Sequence, residues 1–217
     1  MSTVTPNAYG NWLYRLLQSK TIFELLTLKE GDIIFLTNSS FILLNMHGIL
    51  STVKKHAQHK SFTSALSPPN TLLHYKANSS ICYHKVQALT NSYILVFHSI
   101  SDLSDEFIRN KIRLMELKSL KLHIMYLDNL VVLFTQNTIK KRVVVFLLVL
   151  AKQIGLFTDN HIIMNITLSH SYIAEALGTT RVSITRSINN LNKKFLVIKR
   201  QKIIILNPIA LADSALC

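Results

Sequence analysis

The stretch LSHSYIAEALGTTRVSITRSINNL, residues 168–191, is typical of two short helices that meet at a glycine. We expect a first helix over 173–177 and a second over 181–193. Gly178 then follows the first helix, at a position where the backbone commonly adopts a positive φ to turn sharply. Ala174 lies one helical turn earlier and is small enough to let the second helix approach closely. The pattern therefore predicts a compact helix-turn-helix unit.

The second helix has two faces of different chemistry. The residues expected to point inward are Ile184, Ile188 and Leu191. Residues outside this inward face can reach base edges if the helix enters the major groove of DNA. They are Arg181, Val182 and Arg186. An arginine can bond guanine O6 and N7 bidentately, and a valine can contact a thymine methyl group. These three residues are the predicted base contacts.

Hydroxyl and basic groups surround this helix pair. Such groups can contact phosphate oxygens, which fixes the register of a protein on DNA without reading its sequence. The predicted phosphate contacts are Ser169, Thr179, Thr180, Ser183, Thr185, Lys193, Lys199, Arg200 and Lys202. The last three belong to a predicted hairpin between strands at 195–198 and 203–206, which would form a basic wing. The alternative interpretation is an ordinary helical hairpin with a solvated charged face.

The charge balance of the 217-residue chain favours a polyanionic partner. The chain has 24 Lys and Arg against 11 Asp and Glu, for a formal net charge of +13. Beyond residue 138 there are 11 basic but only 3 acidic residues, so the C-terminal part carries most of the excess. Fixed positive charge raises the local concentration of phosphates or anionic lipids. Nucleic acid and a membrane surface are both candidate partners on this ground.

Several classes of protein are disfavoured. Cys82 and Cys217 are the only cysteines, so one chain cannot build a disulfide framework or a four-cysteine zinc or iron–sulfur site. The uncharged run 33–53 is long enough to span a membrane, but its polar centre predicts strand, turn and strand instead. The sequence has no phosphate-binding glycine loop, nucleophile elbow or metal-binding helix motif. We therefore expect no membrane span, no metal site and no enzyme.

Residues 32–97 alternate short β-rich runs with turn clusters. Strands this short and this regularly interrupted predict a small antiparallel barrel or roll. We expect a short helix over 13–27 before them, and a polar hairpin tip at 54–60. The N-terminal part is thus predicted to be a β domain.

The periodicity changes at Ser104, which we expect to be the N-cap of a long helix that has acidic residues in its first turn. Apolar residues then recur at alternating steps of three and four, as in the seam of a two-stranded coiled coil. This predicted dimer seam consists of Leu117, Leu120, Ile124, Leu127, Val131 and Phe134. The alternative is that the stripe packs onto the β domain of its own chain.

A second amphipathic helix is predicted over 139–154, ended by Gly155 as a C′ residue, with a strand at 162–168. The chain then divides into a β-roll domain at 1–103, a dimerisation helix at 104–138 and a DNA-binding domain at 139–217. The predicted fold class is α+β.

Three stretches carry a resemblance to a known family: RVVVFLLVLAKQIG, the opening stretch, and KIIILNPIAL. They resemble the C-terminal domain of the Crp/Fnr superfamily of transcription regulators, most closely the global nitrogen regulators (NtcA type). The resemblance implies an N-terminal jelly-roll sensor, a long dimerisation helix and a winged helix-turn-helix. The group's Arg-Val-x-x-x-Arg motif is matched by Arg181, Val182 and Arg186, which implies a GTA half-site with an inverted TAC partner. Ser187 departs from the apolar residue usual there.

The resemblance also implies an effector, 2-oxoglutarate, as a possible ligand of the sensor. The candidate effector residues are His74, Tyr75, His123 and Asp128. The chain departs from the family pattern here, because His74 stands at the expected glycine turn and Ile81 replaces a binding arginine. His123 likewise stands where a second arginine is expected, and Asp128 replaces a glutamate. The effector is therefore weakly bound, different or absent, and the histidines have an alternative interpretation as ordinary polar side chains.

The expected function is that of a homodimeric regulator that binds double-stranded DNA at a palindrome. The resemblance implies activation of nitrogen-assimilation genes through contact with RNA polymerase. Similar regulators are encoded in algal plastid genomes, and the bias of this chain toward Ile, Asn, Lys and Leu suggests an AT-rich genome, so we expect the plastid (chloroplast) stroma. The alternative is a basic membrane-surface or RNA-associated structural protein without sequence readout.

Overall fold

The computed structural model describes residues 15–16, 18, 23–36, 41–56, 61–75, 82–100, 103–192, 194–199 and 202–216. Its N-terminal part is a β-roll of two four-stranded antiparallel sheets, ordered β1-β8-β3-β6 and β2-β7-β4-β5. The strands are β1 (Glu24–Leu28), β2 (Ile33–Leu36), β3 (Phe41–His47), β4 (Leu50–His56), β5 (Ser61–Ser67), β6 (Thr71–Tyr75), β7 (Cys82–Ala88) and β8 (Ser92–Phe97).

Strand β3 has both of its faces buried. Leu43 points between the two sheets, where it joins a core with Leu50 and Ile94. Ile42 and Leu44 point to the opposite face and join a second core against the long helix. Because successive side chains of a strand alternate between faces, a strand buried on both sides is a continuous apolar run. This explains the sequence FILL at its start.

The long helix, α1, spans Glu106–Phe134 and has 29 residues. Its N-cap is Asp105 rather than the predicted Ser104, because the Asp105 carboxylate accepts hydrogen bonds from the backbone N–H groups of Phe107 and Ile108. The buried face of the helix packs against the β-roll at one end and the C-terminal domain at the other. The buried residues are Ile108, Ile112, Ser119, Tyr126, Leu130 and Leu133.

The described part of the C-terminal domain has four helices around a four-stranded antiparallel sheet of order β11-β12-β10-β9. Helix α2 begins after the N-cap Thr138 and ends at the C-cap Gly155. The elements are α2 (Ile139–Ile154), β9 (Leu156–Phe157), β10 (Ile162–Met164), α3 (His170–Ala176), α4 (Arg181–Leu191), β11 (Leu196–Lys199), β12 (Lys202–Ile205) and α5 (Pro208–Leu216). Helix α3, helix α4 and the β11–β12 hairpin form a winged helix-turn-helix.

The predicted α+β architecture is confirmed, with several local corrections. The predicted N-terminal helix does not extend to residue 27, because Glu24–Leu28 pairs in register with β8 as an edge strand. The predicted strand at 162–168 stops at Met164, and each wing strand lies within one residue of its predicted position. Gly155 does not adopt a positive φ (−78°); its lack of a side chain matters because a Cβ there would collide with the Ala151 carbonyl oxygen.

One further expectation concerns a segment at the edge of the described residues. The polar hairpin tip expected at 54–60 begins later, since β4 continues to His56, and 57–60 lie outside the described residues.

Among the described helices, none combines the length and hydropathy that a membrane crossing requires. The division into domains at residues 103 and 138 stays a prediction.

Candidate nucleic-acid interface

The two helices of the helix-turn-helix meet at Gly178 as the sequence predicts. Gly178 has a φ of +60°, a conformation that residues with a Cβ adopt only with strain. A hydrogen bond from the Thr179 N–H to the Ala174 carbonyl closes the turn at 2.9 Å. Space is not the reason for the glycine, because a Cβ at this position would meet nothing within 4 Å. The backbone conformation alone requires it.

Helix α4 is held by its inward face and presents the opposite one to solvent. Its inward residues Ile184, Ile188 and Leu191 are all buried, as predicted. Ser187 lies on the same buried side, so the departure from an apolar residue falls inside the domain. The predicted base contacts lie outside: Arg181 and Arg186 are exposed, and Val182 is 60% exposed. We call Arg181, Val182 and Arg186 the recognition surface.

Arg181 occupies the first position of α4, directly after the N-cap Thr180. A cation there opposes the helix dipole, which favours negative charge at an N-terminus. The helix has no acidic residue in its first turn to offset this. Arg181 therefore lowers the stability of its own helix, and attraction to an external anion explains its position better than helix stability does. The backbone N–H groups at the start of the helix attract the same anion.

The hydroxyl groups of the interface differ in availability. Ser169 caps α3 and accepts from the Tyr172 N–H at 3.0 Å, which leaves its own proton free for a phosphate. Thr180 and Ser183 have their hydroxyl oxygens 3.0 Å apart, so one of them can donate outward. Thr185 is different, because its hydroxyl donates to the Arg181 carbonyl at 2.9 Å. Its predicted phosphate contact would require this bond to break.

The sequence analysis missed His170, which links the two helices. Its Nδ1 lies 2.9 Å from the Thr185 hydroxyl oxygen. Since the Thr185 proton is directed to Arg181, the histidine must supply the proton of this bond, which selects the Nδ1–H tautomer. His170 therefore helps to fix the first turn of α4. No sequence signal identifies it, because it is an isolated histidine beside the N-cap serine.

The surroundings of the recognition surface are basic throughout. Lys199 and Lys202 flank the tip of the wing and are exposed, while Lys193 and Arg200 lie outside the described residues. Exposed Lys194, which the sequence analysis also missed, lies over the Phe195 ring at 5.1 Å. From residue 176 to residue 212 the sequence contains seven Lys and Arg and no Asp or Glu. Unopposed positive charge of this density suits a polyanion.

The second candidate site is a cavity of about 130 Å³ between the β-roll and α1. His74 and His123 both line it, as expected for the effector residues, together with Glu116 and Ser119. Tyr75 does not. It points to the other face of β6, where its ring packs on Phe41 and its hydroxyl donates to the Leu36 carbonyl at 3.3 Å.

Asp128 is also absent from the cavity lining. It is exposed on α1, five residues beyond His123, which corresponds to about 140° around a helix. Ile81 lies outside the described residues. Two of the four candidate effector residues are therefore brought together and two are not.

The described lining does not fit 2-oxoglutarate. A dicarboxylate needs cations or several N–H donors, and the described lining residues include no Lys or Arg. Of the two histidines in the described lining, His74 has its Nδ1 3.3 Å from a carboxylate oxygen of Glu116. Burial lowers the pKa of His123, which favours its neutral form. Glu116 would repel the carboxylates of such a ligand, so the charge of the described lining opposes its binding.

The fold and the basic recognition surface together define a two-domain DNA-binding protein with a winged helix-turn-helix. Residues 141–214 match the family profile described as a Crp-like helix-turn-helix domain. The chain thus contains a Crp-like helix-turn-helix domain, and over most of its length it is similar to a transcription regulator.

Relatives and solved structures agree with this class. A protein of Porphyra purpurea described as the HTH-type transcriptional regulator ycf28 is 26% identical over 95% of this chain and 89% of its own length. The global nitrogen regulator of Synechococcus elongatus is 33% identical, over 45% of this chain and 44% of that protein. These relatives are regulators rather than enzymes.

Two solved structures share the fold across both domains. A variant of CooA from Carboxydothermus hydrogenoformans matches with a TM-score of 0.68 and 19% identity, covering 94% of this chain and 95% of its own. FixK2 from Bradyrhizobium japonicum matches with a TM-score of 0.63 and 16% identity, covering 88% and 96%. At these identities the likeness establishes the fold alone.

Proposed function

We propose that two copies of this chain bind one DNA duplex and read a GTA half-site and its inverted TAC partner. The observation that carries the proposal is the exposure of the predicted dimer seam. Its six residues are 39–65% exposed, although all are apolar: Leu117, Leu120, Ile124, Leu127, Val131 and Phe134. A stripe of this kind on one helix marks a surface for another protein.

The seam does not serve the chain's own core. The residues with which α1 packs on the β-roll and the C-terminal domain, such as Ile112 and Tyr126, occupy other positions of the helix. The alternative that the stripe packs onto its own β-roll is therefore disfavoured. Steps of three and four keep the stripe on one side of α1, as a parallel coiled coil requires. A second copy of the same helix is the simplest partner.

Two copies joined along α1 would present two recognition surfaces related by a twofold axis. Such dimers bind half-sites about 34 Å apart, which is one turn of B-DNA, and their operators are palindromes. Arg181 and Arg186 would then contact guanines, and Val182 a thymine methyl group, in each half-site. The name of the Synechococcus elongatus relative supports the motif-based choice of GTA and TAC, because it is a nitrogen regulator.

The same likeness supports a proposal for the biological role. We extend the proposal to activation of nitrogen-assimilation genes through contact with RNA polymerase, in the stroma of a plastid. Support for the nitrogen role comes from the regulators of Synechococcus elongatus and Nostoc. Support for the plastid comes from composition and from the family resemblance noted above.

A binding comparison tests this proposal. The full chain is titrated against a GTA-N8-TAC duplex, a scrambled duplex of equal length and vesicles of anionic lipid, at physiological salt. A preference for the palindrome by about 10³-fold or more is expected for a specific regulator. Equal affinity for both duplexes, or a preference for vesicles, would support the basic structural protein instead. Sedimentation of the free chain as a monomer at micromolar concentration would also contradict the proposal.

A further inference from the structure

The helix-turn-helix contacts the β-roll of its own chain through a buried ion pair. Lys85 of β7 has its ammonium nitrogen 2.7 Å from a carboxylate oxygen of Glu175 on α3. The two side chains are only 10% and 22% exposed. The residues are 90 positions apart in the sequence, so this bond joins two separate units of the fold.

A second polar contact lies next to the first. The Tyr172 phenol of α3 donates to the Ser51 hydroxyl of β4 at 2.8 Å. Burial raises the pKa of Tyr172, so the phenol keeps its proton near neutral pH. Both α3 residues thus contact the β2-β7-β4-β5 sheet. We call the pairs Lys85–Glu175 and Ser51–Tyr172 the interdomain contact.

Apolar packing lies beside the interdomain contact and shields it partly from water. Leu66 of β5 and Leu89, which follows β7, belong to the same buried cluster as Tyr172 and Ile173 of α3. Electrostatic attraction is stronger away from water, and hydrogen bonds fix direction as well as distance. A buried charge pair contributes little net stability compared with apolar residues, but it penalises any orientation that separates the charges.

We propose that Lys85, Glu175, Ser51 and Tyr172 are positioning residues that hold helix α4, which carries the recognition surface, at one orientation on the β-roll. Helix α3 carries Tyr172 and Glu175 on one side and leads through Gly178 directly into α4. Fixing α3 therefore fixes α4. In the homodimer of the proposed function, on which this inference rests, the contact sets the distance between the two recognition surfaces and hence the half-site spacing that the dimer accepts.

The test compares spacing preference rather than affinity alone. A variant with Lys85→Met and Glu175→Gln removes the ion pair, keeps the shapes and leaves the net charge unchanged. A matched control with Lys152→Met and Glu24→Gln removes the same charges from exposed positions outside the contact. Each protein is titrated with palindromic duplexes whose spacer is N8 or is longer or shorter by one, two and five base pairs.

We expect the wild type and the control to bind one spacing most tightly. In the Lys85→Met, Glu175→Gln variant, the ratio between the best and the neighbouring spacings should fall about tenfold, equivalent to about 1.4 kcal/mol of discrimination. Reversal of the pair, Lys85→Glu with Glu175→Lys, should restore part of the preference that each single reversal abolishes. This rescue separates a positioning role from a folding defect, since an unfolded variant loses every duplex equally.

Other outcomes would overturn the inference. An unchanged spacing ratio, with or without uniform weakening, would show that the contact does not set the orientation. Tighter binding of the variant at the best spacing would mean that the contact restrains DNA binding. A wild type without preference for the palindrome over scrambled DNA would instead overturn the proposed function, so the two failures are distinguishable.

Discussion

The recognition surface and the cavity beside α1 are the two places where the family resemblance predicts ligands, and their charges are opposite in kind. The recognition surface has exposed arginines within a 37-residue stretch that lacks acidic residues. The cavity has an acid, Glu116, that faces His74 and lies near a His123 whose pKa is lowered by burial. The first suits an anion and the second does not.

The difference shows how unequally two kinds of site tolerate sequence change. A DNA surface depends on many dispersed cations, so the loss of one leaves most of the attraction in place. A site for a small dicarboxylate depends on a few placed donors, so one or two replacements abolish it. In this chain the DNA-binding end has many dispersed cations, whereas the described lining of the cavity includes no Lys or Arg.

Two recognition surfaces are proposed to act together in the dimer, so breaking the dimer should have the largest effect on DNA binding. An Ile124→Asp substitution places a carboxylate in the seam, where the residue is 60% exposed in one chain. Loss of the dimer should weaken binding to the palindrome by about 10²- to 10⁴-fold, because the second half-site no longer adds to the first. Met125→Asp, next to the seam, is the control. A dimeric Ile124→Asp variant of full affinity would contradict the assigned seam.

The arginines of the recognition surface come next. Arg181→Ala or Arg186→Ala should each cost about 1–3 kcal/mol on a GTA-N8-TAC duplex and relax specificity at one base position. Titration against duplexes with single base changes measures this, with Lys152→Ala as a control on the exposed side of α2. Equal weakening on every sequence would assign these arginines to phosphates.

The wing should have a smaller and less selective effect. Lys199→Ala and Lys202→Ala are each expected to weaken specific and scrambled duplexes alike. Each should reduce the slope of log affinity against log salt by about 1, because each lysine displaces one counterion from DNA. Affinity measured between low and high salt gives the slope. An unchanged slope would place the wing away from the DNA backbone.

The cavity should show the smallest effect of all. Saturating 2-oxoglutarate is expected to leave DNA affinity within about twofold of its value without ligand, since a ligand that does not bind cannot be linked to DNA binding. Calorimetric titration with and without DNA checks this. Because burial lowers the pKa of His123, its ring gains a charge only at a pH below the ordinary range of imidazole, and any binding that depends on this charge should emerge only there. Strong binding at pH 7 would contradict the charge argument.

Local patterns in the sequence predicted the DNA-binding end well. Helix spacing placed Ile184, Ile188 and Leu191 inside, and Gly178 marked the turn, because both depend on residues within a few positions of one another. The apolar residues of the predicted dimer seam are exposed along α1 in the structure. The N-terminal strand β1 was missed because its conformation depends on pairing with β8, about 70 residues away.

The errors at the cavity have equally physical causes. His74 and Tyr75 are neighbours in a strand, and neighbours point to opposite faces, so the two could not line one cavity. The interdomain contact was invisible for another reason. Nothing near Lys85 in the sequence indicates a partner on α3, and only the folded chain brings Glu175 to it.

The cluster that contains Leu66, Leu89 and Tyr126 has a practical consequence for anyone who truncates this chain. These three residues come from the β-roll, its last turn and the long helix, yet they complete the interior of the C-terminal unit. A fragment that starts at residue 139 would lack these three apolar side chains, which cover part of α2 and α3 in the full chain. Such a fragment should melt at a lower temperature and self-associate, even though its own sequence is intact.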